Sequence, residues 1–201
     1  MKATVRIFVP KNNDWIGHYD LQISGTVKVN SVNRKNYIYS YGPRRKPDGS
    51  KEIKSVDGED KTVASVYMYT DSMTKTILKE AAAGASCELY TISFNITNDD
   101  IKRFQKNINM YVGGKVYTSL HQYNVSGPFE CYSYKYANCF KATAYWCNWL
   151  NNPMLMKIYN KYKTKYQKYM PTALKKTYED SWQHVCDYER NADGSFRKIA
   201  V

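Results

Sequence analysis

Residues 18–23 alternate without a break. Tyr19, Leu21 and Ile23 are apolar or aromatic, while His18, Asp20 and Gln22 between them are polar. A period of two sends successive side chains to opposite faces of an extended chain, so this segment is a strand with one face in a core. The same period recurs further on, with Tyr90, Ile92, Phe94 and Ile96 set against Thr91, Ser93 and Asn95. Thr4 to Val9 alternates more weakly, and Pro10 stops it. Thr26–Val29, Tyr37–Tyr41 and Val63–Tyr69 read as further strands, with turns expected at Ser24-Gly25 and across residues 30–35. The polar stretch Gly42 to Asp60 reads as a long loop or a loose hairpin, solvated and mobile in preference to bordering a substrate groove, and its run Arg44-Arg45-Lys46 as a solvated charge cluster able to touch an anion.

Helical segments interleave with these strands. Ser72 to Ala83 places Ile77, Leu78, Ala81 and Ala82 on one side before Gly84. Thr97-Asn98-Asp99-Asp100 caps a second helix whose buried face is Ile101, Phe104 and Ile108, with Gly113-Gly114 at its end. The fold class that follows is α+β: an antiparallel sheet packed with helices, in a single domain of ordinary size.

The segment Tyr136 to Leu150 carries the chemistry. Asn138 is a good N-cap, and Ala142, Thr143, Trp146, Cys147 and Leu150 fall on one helical face. Cys139 then sits at the first helical position, beside free backbone N–H groups and the positive end of the helix dipole. That setting is expected to lower the thiol's pKa and to offer donors to an oxyanion. The bland alternative is that Cys139 is one of five small buried hydrophobes. A base must come from His18, His121 or His184. His18 opens a strand just after Gly17, and a rigid strand presents a base well. His121 lies in a tyrosine-rich loop and ranks second. His184 stands two residues before Cys186 on an expected helix, where the two share no face.

Gly17-His18 opening a strand near the start, and Asn138-Cys139 opening a helix far downstream, resemble the circularly permuted papain-like clan. That clan includes NlpC-type cell-wall peptidases and lecithin-retinol acyltransferase-like enzymes. The resemblance spans about His18 to Leu150. It implies a catalytic core over residues 1–150, with 151–201 as a C-terminal helical extension packed on the same domain. It further implies a Cys139–His18 dyad cleaving an amide, with peptide bonds of bacterial peptidoglycan as substrate. The clan places a polar residue on the strand beside the histidine, usually a second histidine, which is absent here. Ser40 is the candidate for this third role, with Ser31 and Asn30 as rivals. No cofactor and no metal are expected.

Thirty Lys and Arg against 18 Asp and Glu give a formal charge of +12, which attracts polyanions without choosing among them. Twenty tyrosines suit either a β-rich core or a surface that touches polar ligands. The start, with Arg6 inside a short apolar run, does not read as a signal peptide, and no apolar run is long enough for a membrane span. The expectation is a protein cytoplasmic at synthesis and delivered to the periplasm or exported by a leaderless route. It would be an antibacterial effector with an acidic immunity protein as partner, or a lysis enzyme. Cys87, Cys131, Cys139, Cys147 and Cys186 form no Cys-x-x-Cys pair, which argues against a zinc ribbon or thioredoxin-like site. Their odd number allows a free Cys139 beside two disulfides, or five reduced thiols. After Pro153, Leu155, Ile158, Tyr159, Tyr162, Tyr166 and Tyr169 form an aromatic stripe beside a lysine face. Thr172 to Tyr188 reads as helical again, and Asn191 to Val201 as a tail. Two other functions fit the sequence: a lipid acyltransferase or thioesterase of the same clan, and a non-catalytic basic module that binds nucleic acid.

Overall fold

The computed structural model describes residues 1–12, 17–29, 32–80, 85–117, 121–134, 137–162 and 181–201. Among them run β1 (Lys2–Pro10), β2 (His18–Val29), β3 (Val32–Pro43), β4 (Ile53–Val56) and β5 (Glu59–Thr70). A 3-10 turn at Asp71–Met73 leads into α1 (Thr74–Glu80), and another lies at Gly127–Phe129. Then come β6 (Cys87–Asn95), α2 (Asn98–Tyr111), β7 (Val112–Val116), β8 (Gln122–Val125) and β9 (Cys131–Tyr132). The chain finishes with α3 (Cys139–Trp149), α4 (Met154–Tyr162), β10 (Gln183–Arg190) and β11 (Phe196–Ala200). This is a mixed fold, with one large antiparallel sheet and a few helices. Among the described residues no helix is long and apolar enough to cross a membrane.

The strands lie in the order β11-β10-β6-β1-β2-β3-β5-β8-β7, and β4 and β9 both pair with the first half of β5. Alternation divides the sheet into two faces. Ala3, Val5, Ile7, Tyr19, Leu21, Ile23, Tyr39, Tyr41, Val66 and Met68 are buried in the main core, together with Ile101, Phe104, Phe140, Trp146 and Leu155 from α2, α3 and α4. The Tyr39 ring meets Phe104 edge-on at 5.1 Å. Ile38, Tyr67, Tyr69 and Ile77 cluster on the opposite face, and Phe8, Leu78, Cys87, Leu89, Cys186 and Tyr188 form a third group.

The expected cap of α2 is present: the Thr97 hydroxyl accepts from the Asp100 amide, and the Asp100 carboxylate accepts from the Thr97 amide. Ser24-Gly25 is not a turn. β2 runs through it with a register shift between Ile23 and Thr26, and Gly25, at φ +102, supplies the left-handed residue of a bulge. The stretch after Gly42 is a hairpin, with β4 paired to β5 around Asp57-Gly58. Residues 183–200 are neither helix nor tail. They form an antiparallel hairpin that docks β10 on β6 and so completes one edge of the sheet. Among the described residues of the extension, α4 is helical and residues 183–200 form strands. Of the aromatic stripe, Leu155 and Ile158 on α4 are buried, whereas Tyr166 and Tyr169 lie outside the described residues.

Candidate active site

Gly17 has φ +91, a backbone conformation that glycine adopts at no steric cost, and it leads the chain into β2 at His18. His18 stands opposite Phe8 of β1, with the two rings 6.1 Å apart. β2 and β3 pair as far as Asp20 opposite Ser40. Two residues before Asp20, on the same face of β2, His18 Nε2 meets Ser40 Oγ at 2.6 Å. Of the three residues weighed as orienters, Ser40 is the one against the imidazole; Asn30 and Ser31 lie outside the described residues.

Cys139 is the first residue of α3. Asn138 before it is extended, and its side-chain oxygen accepts from the Lys141 amide at 3.0 Å while Nδ2 donates to the Tyr134 carbonyl at 2.8 Å. Both bonds fix the helix mouth. α3 lies across β2 and β3, with the Phe140 ring 5.0 Å from that of Tyr19. Cys139 is 8% exposed, and the backbone N–H groups of Tyr19 and Phe140, with its own, act on the thiol. The Tyr19 amide directly follows His18, so the thiol abuts the backbone next to His18, while alternation sends the imidazole, with Phe8 and Ser40, to the face of the sheet away from α3. Among the described residues no hydrogen bond joins the His18 ring to Sγ.

The thiol is not acidified in this setting. Burial pushes Cys139 up to about 11, and the three N–H groups offset only part of that. The helix mouth acts as expected, but desolvation of the thiolate outweighs it. Burial also pushes His18 down to about 4; Asp20 acts against this and Arg6 with it. Between those limits both groups are neutral, so the resting pair is thiol and imidazole, not thiolate and imidazolium.

Behind His18 lies a buried ionic cluster. Arg6 Nε donates to Asp20 Oδ1 at 2.7 Å and Nη2 to Asp20 Oδ2 at 2.6 Å, with the two side chains 2% and 0% exposed. Nη2 also donates to Tyr69 Oη, and Nη1 to Asp71 Oδ1 and Thr74 Oγ1, each at 3.0 Å. The Tyr69 hydroxyl in turn donates to Asp20 Oδ2 at 2.8 Å. In the sequence Arg6 stands only as a charge inside a short apolar run. The usable signal was an arginine and an aspartate, each at a polar position of a strand with a buried opposite face.

The other histidines are elsewhere. His121 takes φ +52 beside β8, its carbonyl accepts from the Met68 amide at 3.1 Å, and burial lowers its pKa, with Lys115 adding to the effect. His184 is on β10, stacked on Tyr90 at 4.6 Å and 2.8 Å from Asp187 Oδ1. All five cysteines are free thiols, so no disulfide frames the fold. Among the described residues no group of three or more His, Cys, Asp or Glu could hold a metal ion. No protein family, curated protein or solved structure matches this chain.

Proposed function

We propose that the protein is a cysteine acyl hydrolase with Cys139 as nucleophile, His18 as base and Ser40 as the residue that orients His18. One observation carries the reading: the amide that follows His18 acts on the Cys139 thiol, while Ser40 occupies Nε2 of the His18 imidazole. With Nε2–H donating to Ser40, the lone pair of Nδ1 is the one left to take a proton. His18 faces, with Phe8 and Ser40, the side of the sheet away from α3, so the thiol proton reaches Nδ1 through a water at the Gly17 end of β2 as Sγ attacks the carbonyl carbon. The N–H groups at the mouth of α3 receive the oxyanion. The imidazolium returns its proton to the leaving amine, and water then releases the acid from the thioester.

A histidine-bearing strand that precedes a cysteine-bearing helix, with the helix lying on that strand, supports the permuted papain-like reading of the fold. By that resemblance the substrate is a peptide bond in the stem or cross-bridge of peptidoglycan, and the charge of +12 favours an anionic cell wall. Delivery as an antibacterial effector, neutralised by an acidic immunity protein, belongs to the same proposal. The test is digestion of purified peptidoglycan by the wild type and by Cys139→Ala, with released fragments identified by mass. Peptides released by the wild type alone are expected. Release by both proteins would remove Cys139 from the mechanism. Absence of release, with cleavage of lipid or thioester acyl donors instead, would move the substrate to the acyltransferase branch. No acyl cleavage at all, with salt-sensitive binding to nucleic acid, would replace the reading with that of a basic binding module.

A further inference from the structure

The basic run at the end of β3 divides into a structural half and an unpartnered half. The Arg44 guanidinium is fully engaged: Nε donates to Ser65 Oγ at 3.2 Å, Nη1 to Glu52 Oε1 at 3.3 Å and Nη2 to Asn124 Oδ1 at 2.7 Å. Arg45 differs. Its backbone is clamped by the buried Gln122 side chain, which accepts from the Arg45 amide and donates to its carbonyl, each at 2.7 Å. The guanidinium donates through Nη1 to the Gly49 carbonyl at 3.1 Å. Nε is buried and, among the described residues, has no hydrogen-bond partner.

Arg45 pairs directly with Lys51 across an antiparallel bridge, which puts the two side chains on the same side. The intervening turn is rigid. The Lys46 amide donates to the Ser50 carbonyl at 2.9 Å, and the Asp48 carboxylate accepts from the Ser50 amide at 2.8 Å and its hydroxyl at 2.6 Å. Lys51 Nζ lies 5.8 Å from the centre of the Tyr134 ring, and Tyr134 is 46% exposed. Among the described residues no carboxylate pairs with either Arg45 or Lys51. Two like charges held opposite each other repel, and an anion between them would relieve the repulsion.

This corner adjoins the candidate nucleophile. The Tyr134 carbonyl accepts from the side chain of Asn138, the residue before Cys139. The Tyr134 ring packs on Tyr132 at 5.3 Å, and Tyr132 on Tyr41 at 5.8 Å. Tyr41 is close enough to Cys139 for the thiol to act on its hydroxyl.

We propose that Arg45, Lys51 and the Tyr134 ring form a binding site for a single carboxylate of a peptide. Nη2 of the guanidinium, neither buried like Nε nor bonded to Gly49 like Nη1, offers a donor and the ammonium a point charge, while the ring lies beneath the apolar stem. Asp48, Glu52 and Glu130 flank the corner and interrupt the positive field. That spacing admits one anionic group and disfavours the continuous phosphates of a nucleic acid. Identifying this carboxylate with the acyl substrate of Cys139 rests on the hydrolase reading; the binding site itself does not.

The test therefore measures binding without turnover, using the full chain carrying Cys139→Ala. A C-terminally amidated Ala-Glu-Ala peptide carrying an uncharged dye is titrated beside its Ala-Gln-Ala counterpart and a short single-stranded DNA with the same dye. The acidic peptide is expected to bind in preference to both. Arg45→Gln and Lys51→Gln are each expected to weaken it roughly tenfold, the loss of one charge-assisted hydrogen bond. Lys46→Gln, which removes a neighbouring exposed cation, is expected to change it by less than about twofold. Equal binding of acid and amide, equal losses from all three substitutions, or preference for the DNA would each overturn the proposal, whatever becomes of Cys139 as a nucleophile.

Discussion

Replacing Arg6 with methionine tests the buried cluster behind His18. The arginine makes five hydrogen bonds, two of them to Asp20, one to Tyr69, one to Asp71 and one to Thr74. The substitution leaves the Asp20 carboxylate, which is 0% exposed, with the Tyr69 hydroxyl as its remaining partner among these side chains. Breaking one half of a buried pair costs about 3–5 kcal/mol, mostly through the stranded charge. At a urea m-value of about 2 kcal/mol/M, a loss of about 4 kcal/mol lowers the unfolding midpoint by about 2 M. The double variant Arg6→Met, Asp20→Leu removes both charges and is expected to recover most of this, because a buried ion pair is worth little against apolar side chains of similar size. The Tyr69 hydroxyl then remains buried without these two partners, at a cost of about 1–3 kcal/mol that a further Tyr69→Phe should remove. The assay is urea denaturation followed by circular dichroism. A single-variant loss under about 1 kcal/mol, or losses that simply add in the double variant, would refute this account of the cluster.

Three further outcomes follow from the site. His18 sits at about 4 in the folded chain against 6.5 when free, so the unfolded chain binds more protons between those values. Stability should therefore be complete above about pH 6.5 and fall by up to roughly 3 kcal/mol as pH drops toward 4, and His18→Gln should flatten that slope in acid denaturation curves. Cys139, raised from 9.0 to about 11, acts in the opposite sense: stability should decline as pH rises above 9, and iodoacetamide should label native Cys139 slowly at pH 7 and faster toward pH 11, with the site of labelling read by mass. Ser40→Ala removes the contact at His18 Nε2 and should cut kcat about 10- to 100-fold with little change in KM, as befits a residue that only positions the base; an unchanged kcat would remove Ser40 from the mechanism.

Legibility in the sequence followed the physical range of each signal. Alternation at Tyr19, Leu21 and Ile23, and the capping box at Thr97 and Asp100, are local, and the structure repeats both. Asn138 capping α3 ahead of Cys139 is equally local. Ser40 required knowing which strand neighbours β2, which is a matter of register rather than composition. The Arg6–Asp20 pair depends on the same kind of information, since the two meet only because β1 and β2 align them. β10 was hidden by its own weak pattern: Cys186 and Tyr188 are buried, but Val185 beside them faces outward, so hydrophobicity does not follow the strand period. The acidification expected of Cys139 failed for a related reason, because dipole and capping are visible locally whereas depth of burial is set by the whole fold.

The position of β10 constrains how the protein can be made. β6 lies between β1 and β10, so one of its edges is satisfied by the earliest strand and the other by one of the last two. During synthesis β1, β2 and β6 can assemble while the outer backbone groups of β6 still face water. That open edge persists until Gln183 to Arg190 has emerged. An unpaired strand edge is a template for pairing with another chain. Ribosome-bound intermediates, and chains truncated before residue 183, are thus the species most exposed to aggregation, and a peptide spanning 183–200 supplied in trans should suppress it.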